Sequence, residues 1–159
     1  MSHSRIFKIQ DDLTAPYEEI SEDDYQENGF IDGFHDYVAK LSKEETEEAY
    51  NWLNSSSSHV WHVNKKSGGY YVSLITSEVE LYLEKQWALF RNEYFKPLEE
   101  RDSWLAKSYL GDISGFYFER PGWGYDTEFE TLETIYKYCI NSNIVRITFR
   151  LEGALDYHS

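Results

Sequence analysis

The sequence predicts an α+β protein with an antiparallel or mixed sheet of about 4–5 strands and helices packed on one face. Three observations predict this class: a glycine-rich hairpin in mid-chain, several segments with apolar residues at helical spacing, and an alternating strand near the C-terminus. A chain of 159 residues is long enough to bury one core without disulfides. We therefore expect a single domain, residues 1–159, with an acidic N-terminal helical arm (residues 11–53) and an α/β body (residues 59–152).

The first part of the chain is predicted to be mostly helical. Residues 5–9 predict a short edge strand, and residues 11–17 predict a loop. Apolar residues at helical spacing predict a helix over residues 30–41; they are Phe30, Ile31, Phe34, Tyr37, Val38 and Leu41. Ser42 and Glu45 form a capping-box pattern, which predicts a second helix that ends near Leu53. The side chains that this helix is expected to bury are Ala49, Trp52 and Leu53.

The body is predicted to alternate strands and helices. Residues 59–64 and 70–76 predict two strands, joined by a hairpin turn at Ser67-Gly68-Gly69. Ser77 and Glu80 repeat the capping-box pattern before a long helix, which Pro97 separates from a shorter one over residues 98–110. The expected core stripe of the long helix is Val79, Leu83, Trp87, Phe90 and Tyr94. A strand at 116–118, a turn at 120–125, a helix at 128–141 and a strand at 145–151 complete the pattern.

Negative charge is concentrated in the acidic arm, which we define as residues 11–53. It contains 14 of the 29 acidic residues, opposed by Lys40 and Lys43 alone, and carries −12 of the formal charge of −14. Glu44 and Glu48 form a like-charge pair four residues apart on a predicted helix, which lowers helix stability. Such segregation is typical of a surface that binds a basic partner, although acidic runs also serve solubility alone.

Composition also excludes several classes. A sequence pI near 4.7 argues against direct binding to nucleic acid or to anionic membranes. The N-terminus lacks a signal-peptide pattern, no apolar run is long enough to span a membrane, and the one cysteine, Cys139, fits a reducing compartment. We therefore expect a cytoplasmic protein.

The sequence contains no motif that names a reaction. His59 and His62 would point to opposite faces of a strand, and no cysteine–histidine spacing suggests zinc, so we predict no metal site. The glycines match no phosphate-binding loop, so we predict no cofactor. An enzymatic alternative is a small hydrolase that uses the carboxylates Glu119 and Asp126, or His62.

Two aromatic residues, Trp123 and Tyr125, lie in the turn at 120–125. They fold back onto the sheet in one interpretation and form an exposed contact site beside Arg120 in the other.

Two stretches resemble the plasmid antirestriction proteins. The first extends from Trp61-His62 through Gly68-Gly69-Tyr70, and the second is the helix and strand from Tyr136 to Leu151. That family also has a tryptophan-containing strand, a Gly-Gly hairpin and a final helix–strand pair. The segment from Lys96 to Tyr125 has no counterpart in it. The resemblance directs attention to mobile-element or phage biology.

The leading hypothesis is a non-catalytic acidic inhibitor that docks on the basic surface of a nucleic-acid-processing protein. Such a protein would be a toxin immunity protein or a phage or plasmid antagonist of a host nuclease or restriction system. Its predicted partner is therefore a basic protein such as a nuclease or DNA-binding protein. The predicted contact residues are Glu22, Asp23, Asp24, Glu27, Glu44, Glu45, Glu47, Glu48, Trp123 and Tyr125. A plain scaffold or adaptor subunit remains a further alternative.

Overall fold

A computed structural model of the protein describes residues 3–27, 37–111 and 115–158. The strands in chain order are β1 (His3–Gln10), β2 (Tyr37–Lys40), β3 (His62–Lys66), β4 (Gly69–Ile75), β5 (Phe116–Arg120), β6 (Gly124–Thr127) and β7 (Arg146–His158). The helices are α1 (Asp23–Glu27), α2 (Lys43–Asn54), α3 (Thr76–Tyr94), α4 (Ser103–Tyr109) and α5 (Glu128–Asn141), and a 3₁₀ turn spans Leu98–Glu100.

The seven strands found in the described residues belong to one sheet, with the order β3-β4-β7-β1-β5-β6 and with β2 also paired to β7. The β1–β5 pair is parallel and the remaining pairs are antiparallel. The mixed orientation is therefore confirmed, but the predicted 4–5 strands are too few. The two additional strands are β2, which lies within the predicted helix over 30–41, and β6, which follows the glycine-containing turn.

β7 is the central strand and is longer than the predicted 145–151. One of its edges pairs with β1, and its other edge pairs first with β4 and then with β2. Between those two partners, the backbone N–H of Ile20 donates to the carbonyl of Glu152 at 2.8 Å. The N–H of Gly153 donates to the hydroxyl of Tyr50 at 2.9 Å. Residues from the acidic arm thus hydrogen-bond to β7 between the segment that pairs with β4 and the segment that pairs with β2.

The main core lies between the sheet and three helices. Alternate residues of the central strands, such as Phe7 and Phe149, pack in one buried cluster with Leu53 of α2, Leu83 of α3 and Leu132 of α5. Because neighbouring strand residues point to opposite faces, Ile6 faces the other way. It joins a smaller cluster with Ile20, Tyr25, Val38, Leu155 and Tyr157. Helix α1, which contributes Tyr25, therefore packs on the face opposite to α2, α3 and α5, so the expectation that the helices pack on one face is wrong for α1.

A buried ionic network holds the loop after β1 against this second face. The guanidinium of Arg150 donates to Glu152 at 2.5 and 3.1 Å and to the carbonyl of Pro16 at 3.1 Å. The ammonium of Lys8 lies 3.5 Å from the second Glu152 oxygen and donates to the carbonyl of Glu18 at 2.7 Å. Charged side chains, in addition to apolar ones, thus attach the acidic arm to the sheet.

Three expectations about helices were wrong. Tyr37 and Val38 are in β2, since strand pairing with β7 replaces the helix there; residues 28–36 lie outside the described part of the chain. Ser77 does not cap α3, which begins at Thr76 without a side-chain cap. Trp52, Trp87 and Tyr94, expected in the core, are 51%, 46% and 56% exposed.

Candidate functional site

The outer face of α2 is the best-defined acidic surface of the described chain. The helix begins as predicted: the Ser42 hydroxyl accepts from the Glu45 N–H at 3.2 Å, and the Glu45 carboxylate accepts from the Ser42 N–H at 2.8 Å. Ala49, Tyr50 and Leu53 are buried, so the opposite side of the helix faces solvent. Glu44, Glu48 and Trp52 follow one another at intervals of four residues and share that exposed side. We call these three residues the α2 stripe.

The glutamates of α2 differ in whether they already have partners. The hydrogen bond from the Ser42 backbone is the main cause that lowers the pKa of Glu45, so its charge serves the helix cap. Glu47 lies 3.5 Å from the ammonium of Lys65. Among the described residues, Glu44 and Glu48 have no hydrogen-bond or ion-pair partner. Two adjacent carboxylates on α2 are therefore available to an external cation.

Trp52 places an aromatic ring at the end of this acidic row. Its ring centre lies 4.9 Å from the guanidinium carbon of Arg5, which in turn pairs with Asp156. Arginine and aromatic side chains both commonly occur where proteins bind one another. The sequence analysis missed Trp52 because an aromatic residue beside Leu53 was assigned to the core. Its position four residues after Glu48 is the signal that could have placed it on the exposed side.

The remaining acidic candidates lie on and around α1. Glu22 accepts a hydrogen bond from the Lys40 N–H at 2.7 Å, and Asp23 and Asp24 are exposed in the first turn of α1, which ends at Glu27. The ten predicted contact residues therefore do not form one continuous patch along a helical arm. They divide into groups on α1, on α2 and at the β5–β6 turn.

The β5–β6 turn separates its two aromatic residues. Trp123 is 70% exposed, and the Arg120 guanidinium carbon lies 5.0 Å from its ring centre. Tyr125 packs back against the second face, with its ring centre 5.4 Å from Tyr25 and 6.0 Å from Tyr117. Trp123 thus fits the interpretation of an exposed contact residue beside Arg120, and Tyr125 fits the interpretation of a residue that folds back onto the sheet.

The groups proposed for a hydrolase do not converge. In the β5–β6 register, Asp126 is paired with Phe118, and Glu119 is paired with Tyr125. Paired residues share a face of the sheet, whereas Phe118 and Glu119 are neighbours in one strand and face opposite sides. The carboxylates of Glu119 and Asp126 therefore point to different faces of the sheet. Burial raises the pKa of Glu119, whose carboxylate accepts a 2.6 Å hydrogen bond from Tyr25. Burial also raises the pKa of Asp126. The pair cannot act from two sides of one bond as in a glycosidase.

Neither the third hydrolase candidate nor the metal-binding side chains form a compact centre. His62 lies 2.5 Å from Glu78, with both side chains partly exposed. Within residues 3–27, 37–111 and 115–158, no group of three or more His, Cys, Asp or Glu side chains is arranged to hold a metal ion.

Comparison with known proteins finds no match: no protein family, no curated protein and no solved structure corresponds to this chain. In the part of the chain that the structure describes, no helix is long and apolar enough to cross a membrane.

Proposed function

We propose that the protein is a non-catalytic acidic inhibitor that binds the basic surface of a nucleic-acid-processing protein. The observation that supports this proposal most strongly is the α2 stripe. Its two carboxylates repel each other, lack a partner among the described residues and precede an exposed tryptophan. A like-charge pair at this spacing lowers helix stability by a few tenths of a kcal/mol. Its presence is explained if a cationic partner neutralises it.

The chemistry of the stripe suits lysine and arginine side chains. Carboxylates form charge-assisted hydrogen bonds with guanidinium groups, and Trp52, whose ring already packs against Arg5, adds half-exposed aromatic surface beside them. The partner would bind nucleic-acid phosphates through its lysine and arginine side chains. When Glu44 and Glu48 pair with those side chains, the phosphates can no longer bind there. Glu45 and Glu47, together with the α1 acids, add long-range attraction that accelerates association. Two roles fit this activity: immunity against a nuclease toxin, and antagonism of a host nuclease or restriction system.

The first test compares three tagged forms: wild type, Glu44→Gln/Glu48→Gln and the control Glu99→Gln/Glu100→Gln. The control removes the same charge from two exposed glutamates in the 3₁₀ turn. Each form is incubated with lysate of the native host and eluted with a salt gradient, and eluted proteins are identified by mass spectrometry. We expect wild type and control to release the same basic protein at moderate salt. The α2 variant should release it at lower salt.

The second step uses the captured protein after purification. Wild type should compete with labelled DNA or RNA for it, and the α2 variant should associate roughly three- to tenfold more slowly at low salt. Equal capture by all three forms would contradict the site, since the carboxylates of α2 would then contribute nothing. A captured protein that still binds nucleic acid at full strength would contradict the inhibitor role itself.

A further inference from the structure

A long groove runs between α3 and α5, on the side of the main core away from the sheet. Its volume is about 790 Å³, and its surface is largely aromatic, with Trp87, Phe90 and Tyr94 from α3 and Tyr136 from α5. The α3 residues that line it extend from Glu80 to Tyr94, which corresponds to roughly 21 Å of helix, and Phe95 follows directly after them. A groove of this length is suited to another helix.

The α3 side of the groove has the residue spacing of a helix-packing seam. Glu80, Leu83, Trp87, Phe90 and Tyr94 follow one another at intervals of three and four residues, as at the inner positions of a coiled coil. The Trp87 and Phe90 rings are 6.0 Å apart, and the Phe90 and Tyr94 rings are 6.2 Å apart. Trp87, Phe90 and Tyr94 therefore form a continuous aromatic surface, and Tyr94 is 56% exposed.

The charges that border the groove indicate what covers it. Lys137 lies 3.4 Å from Glu133, and Glu80 accepts a 2.8 Å hydrogen bond from Tyr136, so these groups have partners within the chain. Glu84 and Arg91 are exposed on the same side of α3, seven residues apart, and neither has an ion-pair partner among the described residues. The groove thus presents one acid and one base that are placed symmetrically about Trp87 and Ala88.

We propose that the groove binds a second copy of this chain, with the two α3 helices antiparallel about a two-fold axis near Trp87 and Ala88. This arrangement brings Glu84 of each chain against Arg91 of the other, so that one contact occurs twice. The Trp87 and Phe90 rings of both chains pack between the two ion pairs. A parallel arrangement would instead place Glu84 beside Glu84, which is unfavourable. The chain outside the acidic arm carries a formal charge of only −2, so repulsion between the two bodies is weak.

The test is a charge exchange between two single variants, Glu84→Arg and Arg91→Glu. Alone, each variant places like charges at both symmetric contacts, and its dimer dissociation constant should rise about tenfold or more. In a mixture, the first variant supplies arginine at both positions and the second supplies glutamate, so both contacts become attractive. Native mass spectrometry resolves the mixed dimer from the two homodimers by mass. The control Glu99→Arg makes the same charge change outside the groove and should dimerise as wild type does.

Wild type should show a concentration-dependent shift from 18.9 kDa to twice that mass in sedimentation equilibrium. Trp87→Ala should shift this equilibrium towards the monomer. Wild type that stays monomeric throughout would overturn the proposal and assign the groove to a different protein. A dimer that both single variants preserve would also overturn it, as would single variants that dissociate but fail to pair with each other.

Discussion

The indole N–H of Trp61 donates a 3.0 Å hydrogen bond to the carboxylate of Glu128, inside the main core. The Trp61 ring also stacks on Phe118, with ring centres 4.3 Å apart. Glu128 is the first residue of α5, and Trp61 directly precedes β3, so this contact joins the start of α5 to the segment that leads into β3. Burial raises the pKa of Glu128, while the hydrogen bonds from Ser58 and Trp61 lower it by less.

Glu128 should make the stability of the protein fall as pH rises. Its folded pKa lies above its usual value of 4.5, so the protonated carboxyl favours the folded state. This contribution is fully present below pH 4.5 and is lost as pH rises through the folded pKa. Glu128→Gln stays neutral and retains an oxygen acceptor for Trp61. We therefore expect it to be more stable than wild type at neutral pH, with a flatter pH dependence in urea unfolding.

The control for this prediction is Glu128→Ala, which removes both the charge and the acceptor. It should be less stable than the glutamine variant by roughly 1–3 kcal/mol, because the buried indole N–H is left unpaired. Parallel pH profiles for wild type and Glu128→Gln would show that Glu128 does not titrate differently in the folded and unfolded states.

Gly153 should not tolerate a side chain. The register between β1 and β7 shifts between Phe7 and Ile9, and at this bulge Gly153 has a φ of +98°. An added Cβ would lie 2.9 Å from Cγ2 of Ile20. Gly153→Ala should lower the free energy of unfolding by roughly 2–4 kcal/mol, from backbone strain and this close contact together.

Gly122→Ala is the matched control for the glycine prediction. Gly122 also has a positive φ, +78°, but an added Cβ would meet nothing within 4 Å. Its cost should be limited to the backbone strain of roughly 1–2 kcal/mol. Similar values for both variants in urea unfolding would mean that Ile20 moves aside and that the loop before α1 is not held tightly at β7.

Glu48→Lys should stabilise α2 while it weakens partner binding. The substitution converts the repulsive Glu44–Glu48 pair into an attractive pair with the acid nearer the N-terminus, for a gain of roughly 0.5–1 kcal/mol at low salt. High salt should remove most of this gain, because the pair is exposed. Chemical unfolding at low and high salt measures it. A loss of stability would indicate that Glu48 has a contact beyond the described residues.

Local sequence signals predicted those elements that depend on neighbouring residues. The Ser42–Glu45 capping box and the Gly-Gly hairpin are formed by residues close in sequence, and both are present. The helix expected through Tyr37 and Val38 failed because pairing of Val38 with Tyr157, far along the chain, outweighs a short helical pattern. Helical spacing also could not show that Trp87 lacks a covering layer, since apolar stripes in cores and at interfaces have the same period.

The candidate site was predictable only in outline. Segregation of charge into the acidic arm is a property of the sequence and was visible there. Which carboxylates remain available depends on distant residues, such as Lys65 beside Glu47 and the Lys40 N–H beside Glu22. Sequence spacing alone therefore defined the acidic segment but could not separate the α2 stripe from glutamates that already have partners.

The position of β7 determines when the fold can be completed during synthesis. Among the described strands, β2 pairs only with β7. β1 and β4 each pair with β7 along one of their two edges. A ribosome must therefore translate more than 140 residues before the strand that joins them exists. Until then the nascent chain holds two separate groups of strands, the β3–β4 hairpin and the β5–β6 hairpin with β1 beside β5, each with an unpaired strand edge. Contacts this far apart in sequence slow folding, and unpaired strand edges that persist meanwhile are prone to aggregation.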